Sequence, residues 1–195
     1  HGGPSPTDGP EVDELVEAEK PNLVLFESPT NPSLFLADID KITEAARNVG
    51  ALCVLDNTFA GLDEHHDCGV DMYIHSLSKQ ASGHGDVIAG AVMASADWIS
   101  RHRNDFVQLG ACMDPNTAFL VLRGLKTYKL RANAQSAHAL AVAQFMDAQH
   151  GDFINLHYPG LPSHPQYELA QRQLRSSGYV ISADLVGDEK RFERF

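Results

Sequence analysis

The chain is short of positive charge: against 26 Asp and Glu it carries 15 Lys and Arg, a formal net charge of −11 over 195 residues. Such a balance repels a phosphate backbone, and no basic stripe interleaved with aromatics offsets it, which argues against nucleic acid as a partner. Long apolar runs are also missing. None approaches the roughly 20 residues that a membrane span needs, and His1 to Pro10 lacks the charged and apolar regions of a signal peptide. The expectation is a cytoplasmic protein with no membrane partner. Cysteine is scarce, and Cys53, Cys68 and Cys112 are odd in number and far apart. That spacing argues against a disulfide framework and for a reducing compartment.

Several motifs are absent as well. Without GxGxxG or GxxxxGK[ST], the run Gly83-His84-Gly85-Asp86 is not a nucleotide loop. No GxSxG elbow supports a Ser-His-Asp hydrolase. Asp63 to Cys68 places metal-ligand types in a row, but with neither HExxH nor CxxC spacing it reads as a solvated acidic loop, and no metal is expected.

What is present is enough apolar residue, 43% of the chain, to bury a core. His1 to Pro10 reads as linker, and Glu11 to Lys20 as a short acidic helix. Leu23 to Glu27 is a short apolar run typical of a strand covered on both faces, stopped by the prolines of Ser28 to Pro32. From Asp38 to Val49, Ile39, Ile42, Ala45, Ala46 and Val49 recur at helical spacing, and Gly50 supplies the stop. A second strand, Ala51 to Leu55, ends in Asp56, and a third, around Met72 to His75, ends at a lysine. Strand, helix, strand is the signature of a parallel sheet with crossovers, whose ligands bind beyond the carboxyl ends of the strands. Glu27 to Asn31, Asp56, and Ser76 to Lys79 are therefore expected to converge on one sheet edge.

Val87 to Met93 reads as a fourth, antiparallel strand. Helical patterns follow over Ala96 to Leu109 and over Pro115 to Met146, the latter bent near Gly124. Phe153 to His157 and Tyr179 to Leu185 look like strands, with a Pro-rich turn at Tyr158 to Pro165 and a short helix to Leu174 between them. These few elements cannot close a core by themselves.

Lys79 follows an apolar strand and sits among Ser76, Ser78, Ser82, Gly83 and Gly85 on what reads as a loop. An ammonium buried there loses solvation, which favours the free amine as a nucleophile toward a carbonyl. A lysine for an aldehyde, Asp56 for a pyridinium nitrogen, and Ser76 with Ser78 for a phosphate together suit pyridoxal phosphate. The competing readings are a turn aspartate for Asp56 and turn chemistry for the serines. His84 is either a ligand, an acid or a loop tie, and His75 is equally open.

Five ordered stretches carry a resemblance: Glu27 to Pro32, Asp56 to Ala60, His75 to Lys79 with Gly83 to Asp86, Arg123 to Thr127, and Tyr158 to Pro165. Through them the chain resembles the Cys/Met-metabolism family of pyridoxal-phosphate enzymes, which includes cystathionine gamma-synthase, cystathionine gamma- and beta-lyases and methionine gamma-lyase. The Gly83 to Asp86 run, with Tyr158 to Leu161 and Pro165 to Tyr167, leans toward methionine gamma-lyase. Ser78 stands where threonine is commoner, Gln80 replaces an aromatic, and the segment after Asp56 departs from the family's proline-bearing one.

The resemblance implies an α/β chain, part of a fold-type I pyridoxal-phosphate transferase. Its mostly parallel sheet has helices on both faces, and a small α+β C-terminal domain begins after it. It implies that Lys79 carries the Schiff base, Asp56 pairs with the ring nitrogen, Ser76 and Ser78 bind phosphate, and Asn31 approaches the ring hydroxyl. The implied activity is a carbon-sulfur lyase or gamma-synthase acting on a small-molecule sulfur amino acid, in a homo-oligomer built as a dimer of dimers. The family's cofactor-stacking tyrosine and its substrate-gripping C-terminal arginine have no counterpart here. The expectation is thus an internal fragment, with residues 1–130 forming the second half of the cofactor domain and 131–195 opening the small domain. A non-catalytic remnant kept for oligomer assembly is the alternative reading, and a cofactor-free Schiff-base enzyme the third.

Overall fold

The structure, a computed structural model, describes residues 12–65, 68–110, 112–149 and 153–185. The residues read as N-terminal linker lie outside the described residues, as do His66 and Asp67 of the acidic run.

A four-stranded sheet in the order β1 (Leu23–Glu27), β2 (Leu52–Asp56), β3 (Met72–Ser76), β4 (Gly90–Ala94) forms the frame. The first three strands are parallel and β4 is antiparallel to β3. Register sets Glu27 beside Asp56 and Asp56 beside Ile74, so the three carboxyl ends emerge along one edge, as the strand-helix-strand pattern requires.

Helix α1 (Val12–Glu19) and helix α2 (Ile39–Val49) pack together on one side of this sheet. The apolar stripe of α2 explains why: Ile42, Ala45 and Ala46 meet Val24, Cys53 and Val16 in one core cluster. Asp38 caps α2 by accepting from the Lys41 N–H at 3.5 Å, and Gly50 ends it at φ 75°, a conformation that glycine adopts without penalty. Cys53 is core, and burial, followed by the nearby Asp71 charge, pushes its thiol up to about 11.

Helix α3 (Ala96–Gln108) follows β4. The single bent helix expected from Pro115 to Met146 is two: α4 (Pro115–Leu125) and α5 (Tyr128–Asp147). The break has a packing cause. At Gly124 the helix lies directly on the Ser82 backbone, where a Cβ would collide with it, and the chain must redirect after that contact.

Strands β5 (Phe153–His157) and β6 (Ser182–Leu185) form a separate antiparallel pair. The short helix α6 (Tyr167–Gln173) docks back on the first part of the chain, as its own unit is too small for a core. Gln166 and Gln173 bond both ways with the Leu36 to Ile39 backbone at 2.6–2.9 Å. Leu36 and Ala60 share a core cluster with Ala170 and Leu174.

Candidate active site

Each parallel strand delivers one polar group to the shared edge. After β1, the loop is pinned by its own side chains: Glu27 Oε1 accepts from the Asn31 N–H at 2.9 Å, and Thr30 Oγ1 accepts from the Phe35 N–H at 3.0 Å. This holds Asn31 outward with its amide exposed.

After β2, Asp56 makes the turn that its residue type allows. Its Oδ1 accepts from the Thr58 N–H at 3.0 Å and from the Thr58 hydroxyl at 2.6 Å, and Thr58 Oγ1 in turn accepts from the Ser76 N–H at 2.9 Å. One threonine thus ties the end of β2 to the end of β3. Asp56 Oδ2 keeps no protein partner among the described residues. Behind this edge, His75 is fully buried and shares a 2.9 Å bond between Nδ1 and Asn57 Oδ1. Burial lowers its pKa against the raising effect of the Asp56 charge, so His75 is a neutral core residue.

After β3, Lys79 lies in a π-helical turn, Leu77–Ala81, and not in the open loop read from the sequence. The turn is interrupted at Lys79 itself, where φ is −92° and ψ is −127°. The lysine is exposed, which corrects the expectation of a desolvated amine: the turn leaves the sheet end toward the surface, and the side chain follows it. Its ammonium has no protein partner among the described residues. Ser78 hydrogen-bonds the Ala89 backbone twice, accepting from its N–H at 2.9 Å and donating to its carbonyl at 3.3 Å. Ser76 makes no side-chain bond among the described residues. His84 Nδ1 donates to Ser82 O at 2.6 Å, so its role is the loop tie.

Lys79 and Asn31 border one cavity of about 430 Å³, together with Phe59, Gly83, Gln135 and Tyr179. Asp56, Ser76 and Ser78 do not line it. Asp56 and Ser76 connect through Thr58, whose carbonyl accepts from the Tyr179 hydroxyl at 3.2 Å, while Ser78 is held by Ala89. A larger hollow of about 590 Å³ between β3, β4 and α3 is lined chiefly by apolar groups such as Ile74, Val92 and Phe106, and holds no lysine. Of the two, the smaller cavity is the one that Lys79 and Asn31 border.

Thr58 and Tyr179 were not singled out by the sequence reading. Thr58 was legible in principle, because a hydroxyl two residues after an aspartate is the spacing of a turn. Tyr179 lies far along the chain and gives no local signal. Among the described residues no group of three His, Cys, Asp or Glu is gathered that could hold a metal ion, and Asp63 instead pairs with Lys129 at 2.9 Å.

The donor set fits pyridoxal phosphate. An amine, an amide, a carboxylate oxygen and a hydroxyl without protein partners stand at successive strand ends, matching an aldehyde, a ring hydroxyl, a ring nitrogen and a phosphate.

Comparison with known proteins bears on the same residues. The family model for Cys/Met metabolism PLP-dependent enzymes matches residues 5–195. A probable cystathionine gamma-synthase of Herpetosiphon aurantiacus is 44% identical over 176 residues, which cover 87% of this chain and 54% of that protein. L-methionine gamma-lyase of Pseudomonas putida is 38% identical over 89% of this chain and 44% of that protein. Cystathionine gamma-synthase 1 of Arabidopsis thaliana is 38% identical over 94% of this chain and 33% of its own length. The chain thus spans between a third and about half of the relatives it matches. Among solved structures, cystathionine gamma-synthase from Xanthomonas oryzae pv. oryzae superposes with a TM-score of 0.88 at 38% identity, covering 93% of this chain and 47% of that one. The sheet with its lysine turn, the ordered motifs and the matching model together show that this chain belongs to the Cys/Met metabolism family of PLP-dependent enzymes.

Proposed function

We propose that the whole protein is a carbon-sulfur lyase or gamma-synthase that acts on a small sulfur amino acid with pyridoxal phosphate held at Lys79. One observation carries the reading: Lys79 and Asn31 share a cavity at the carboxyl edge where Asp56 keeps one oxygen free. The names of relatives as cystathionine gamma-synthase and L-methionine gamma-lyase point to the same substrate class.

When bound, pyridoxal phosphate supplies a conjugated ring that withdraws electrons from the amino acid. The residues of this chain do the rest. Lys79 Nζ would hold the aldehyde carbon and, as a free amine, would serve to move a proton from the substrate α carbon. Asp56 would offer Oδ2 to the ring nitrogen while Thr58 fixes Oδ1, which presents the anion in one orientation. Asn31, which borders the same cavity as Lys79, would take the ring hydroxyl. Ser76 would donate to the phosphate, and Ser78, whose bond to Ala89 O is a long 3.3 Å, would join it. Phe59 and Tyr179 border the cavity. The assembly into a homo-oligomer belongs to this reading, and exposed Phe119 and Leu122 on α4 give it apolar surface.

Borohydride reduction of the whole protein in the presence of pyridoxal phosphate, followed by peptide mapping, tests the proposal. The label is expected on Lys79, and a label confined to another residue overturns it.

A further inference from the structure

The turn that carries Lys79 is tied to α5 by two side chains: Gln135 Oε1 accepts from Gln80 Nε2 at 3.0 Å, and Arg131 takes the backbone carbonyls. Arg131, one turn into α5, donates from Nη1 to Gln80 O at 2.7 Å, and from Nη2 to Ala81 O at 3.1 Å and to Gly124 O at 2.9 Å. Its Nε donates to Thr127 Oγ1 at 3.1 Å, which fixes the plane of the guanidinium. All three carbonyls lie in the last turn of a helical element, two in Leu77–Ala81 and one in α4. Such carbonyls carry the negative end of the helix dipole, and a cation with several donors in one plane bridges them, Gly124 O also accepting from the Thr127 N–H at 3.2 Å and the Thr127 hydroxyl at 3.3 Å.

The surrounding packing is built to this contact. Gly83 has φ 74°, and a Cβ there would run into the Arg131 guanidinium. Gly124 approaches the Ser82 backbone so closely that its Cβ position would lie 2.8 Å from the Ser82 Cα. Two glycines and one arginine therefore lock the residues that follow Lys79 against the α4–α5 junction. No other side chain among the described residues donates to the Gln80 or Ala81 carbonyl.

We infer that Arg131 is a positioning residue for Lys79: its planar fork on the Gln80 and Ala81 carbonyls sets the turn that aims the lysine nitrogen into the cavity. Arg131 does not border that cavity and touches no reacting atom. The inference deepens the proposed function and rests on Lys79 being the cofactor lysine. A lysine at 131 keeps the charge but presents its donors from one point, and cannot span carbonyls of two elements in one plane.

The test uses the whole holoenzyme with Arg131→Met and Arg131→Lys. Arg131→Met is expected to lower kcat by about a hundredfold while KM moves by less than about threefold, the pattern of a misaimed group with an intact binding site. Hydrogen exchange supplies a readout independent of turnover. The Ser82 and Gly83 amides, which bond to Leu77 O and Lys79 O at 3.0 Å, exchange faster, while residues 139–147 of α5 keep their protection. Arg131→Lys, the milder change, folds in any case and recovers less than about half of the lost kcat. Unchanged exchange at Ser82 and Gly83, kcat within twofold of wild type, or full recovery by Arg131→Lys overturns the inference. Borohydride labelling of the wild type is run alongside: a label away from Lys79 brings down the functional reading and this inference with it. Labelling at Lys79 with unaltered exchange in Arg131→Met brings down the inference alone.

Discussion

Thr58 donates twice to one oxygen of Asp56, through its N–H at 3.0 Å and its hydroxyl at 2.6 Å. The shorter bond is charge-assisted, and the same hydroxyl accepts from the Ser76 N–H, so removing it disturbs two strand ends at once.

Thr58→Val keeps the shape and deletes the hydroxyl. Losing a hydrogen bond to a charged group costs about 1.5–3 kcal/mol. Part is expected to appear as a lowered unfolding midpoint and part as weaker cofactor binding, roughly tenfold in Kd for each 1.4 kcal/mol. Cofactor titration beside urea unfolding measures both. A variant unchanged in each shows that Asp56 does not need this brace.

Ser76 and Ser78 separate a ligand role from a structural one. Ser76→Ala removes a hydroxyl without a protein partner, so cofactor affinity falls while stability holds within about 0.5 kcal/mol. Ser78→Ala also strands the Ala89 N–H, at a cost of about 1–3 kcal/mol. Equal stability losses in the two variants contradict this division.

Gly124→Ala tests the contact that splits the expected long helix. In a free helix the change would stabilise by up to about 1 kcal/mol. Against the Ser82 backbone it is expected to destabilise by about 1–3 kcal/mol and to shift the lysine turn. A raised thermal midpoint would show that the junction yields without cost.

His164 makes stability depend on pH. It is buried, with Nδ1 accepting from the Gln166 N–H at 3.1 Å, and burial, followed by the His157 charge, lowers its pKa to about 4. The unfolded group titrates near 6.5. Above that pH neither state binds the proton and the residue has no effect. Between 6.5 and about 4 only the unfolded state binds it, so stability falls as pH drops, by up to about 1.4 kcal/mol per unit. His164→Gln is expected to flatten urea midpoints measured across that window. An unchanged slope would place the acid sensitivity elsewhere, with buried His75 the next candidate.

Much of this site was readable along the chain because its local rules are strong. Alternation of apolar runs with the α2 stripe dictates parallel strands, and parallel strands bring Asn31, Asp56 and Lys79 to one edge. The bend expected near Gly124 is there as a full break between α4 and α5, which periodicity does not show because it records the apolar stripe and not the backbone that presses on it.

The amino-acid order alone determined the parallel strands, the α2 helix and the order in which they follow, since propensity and turn residues act over a few positions. Tertiary structure alone decided that Lys79 is exposed, that Thr58 joins Asp56 to the end of β3, and that Tyr179 and Arg131 reach the site from more than 50 residues away. Those contacts come from helices and loops packing on the sheet edge, and no neighbour in sequence encodes which distant side chain arrives there.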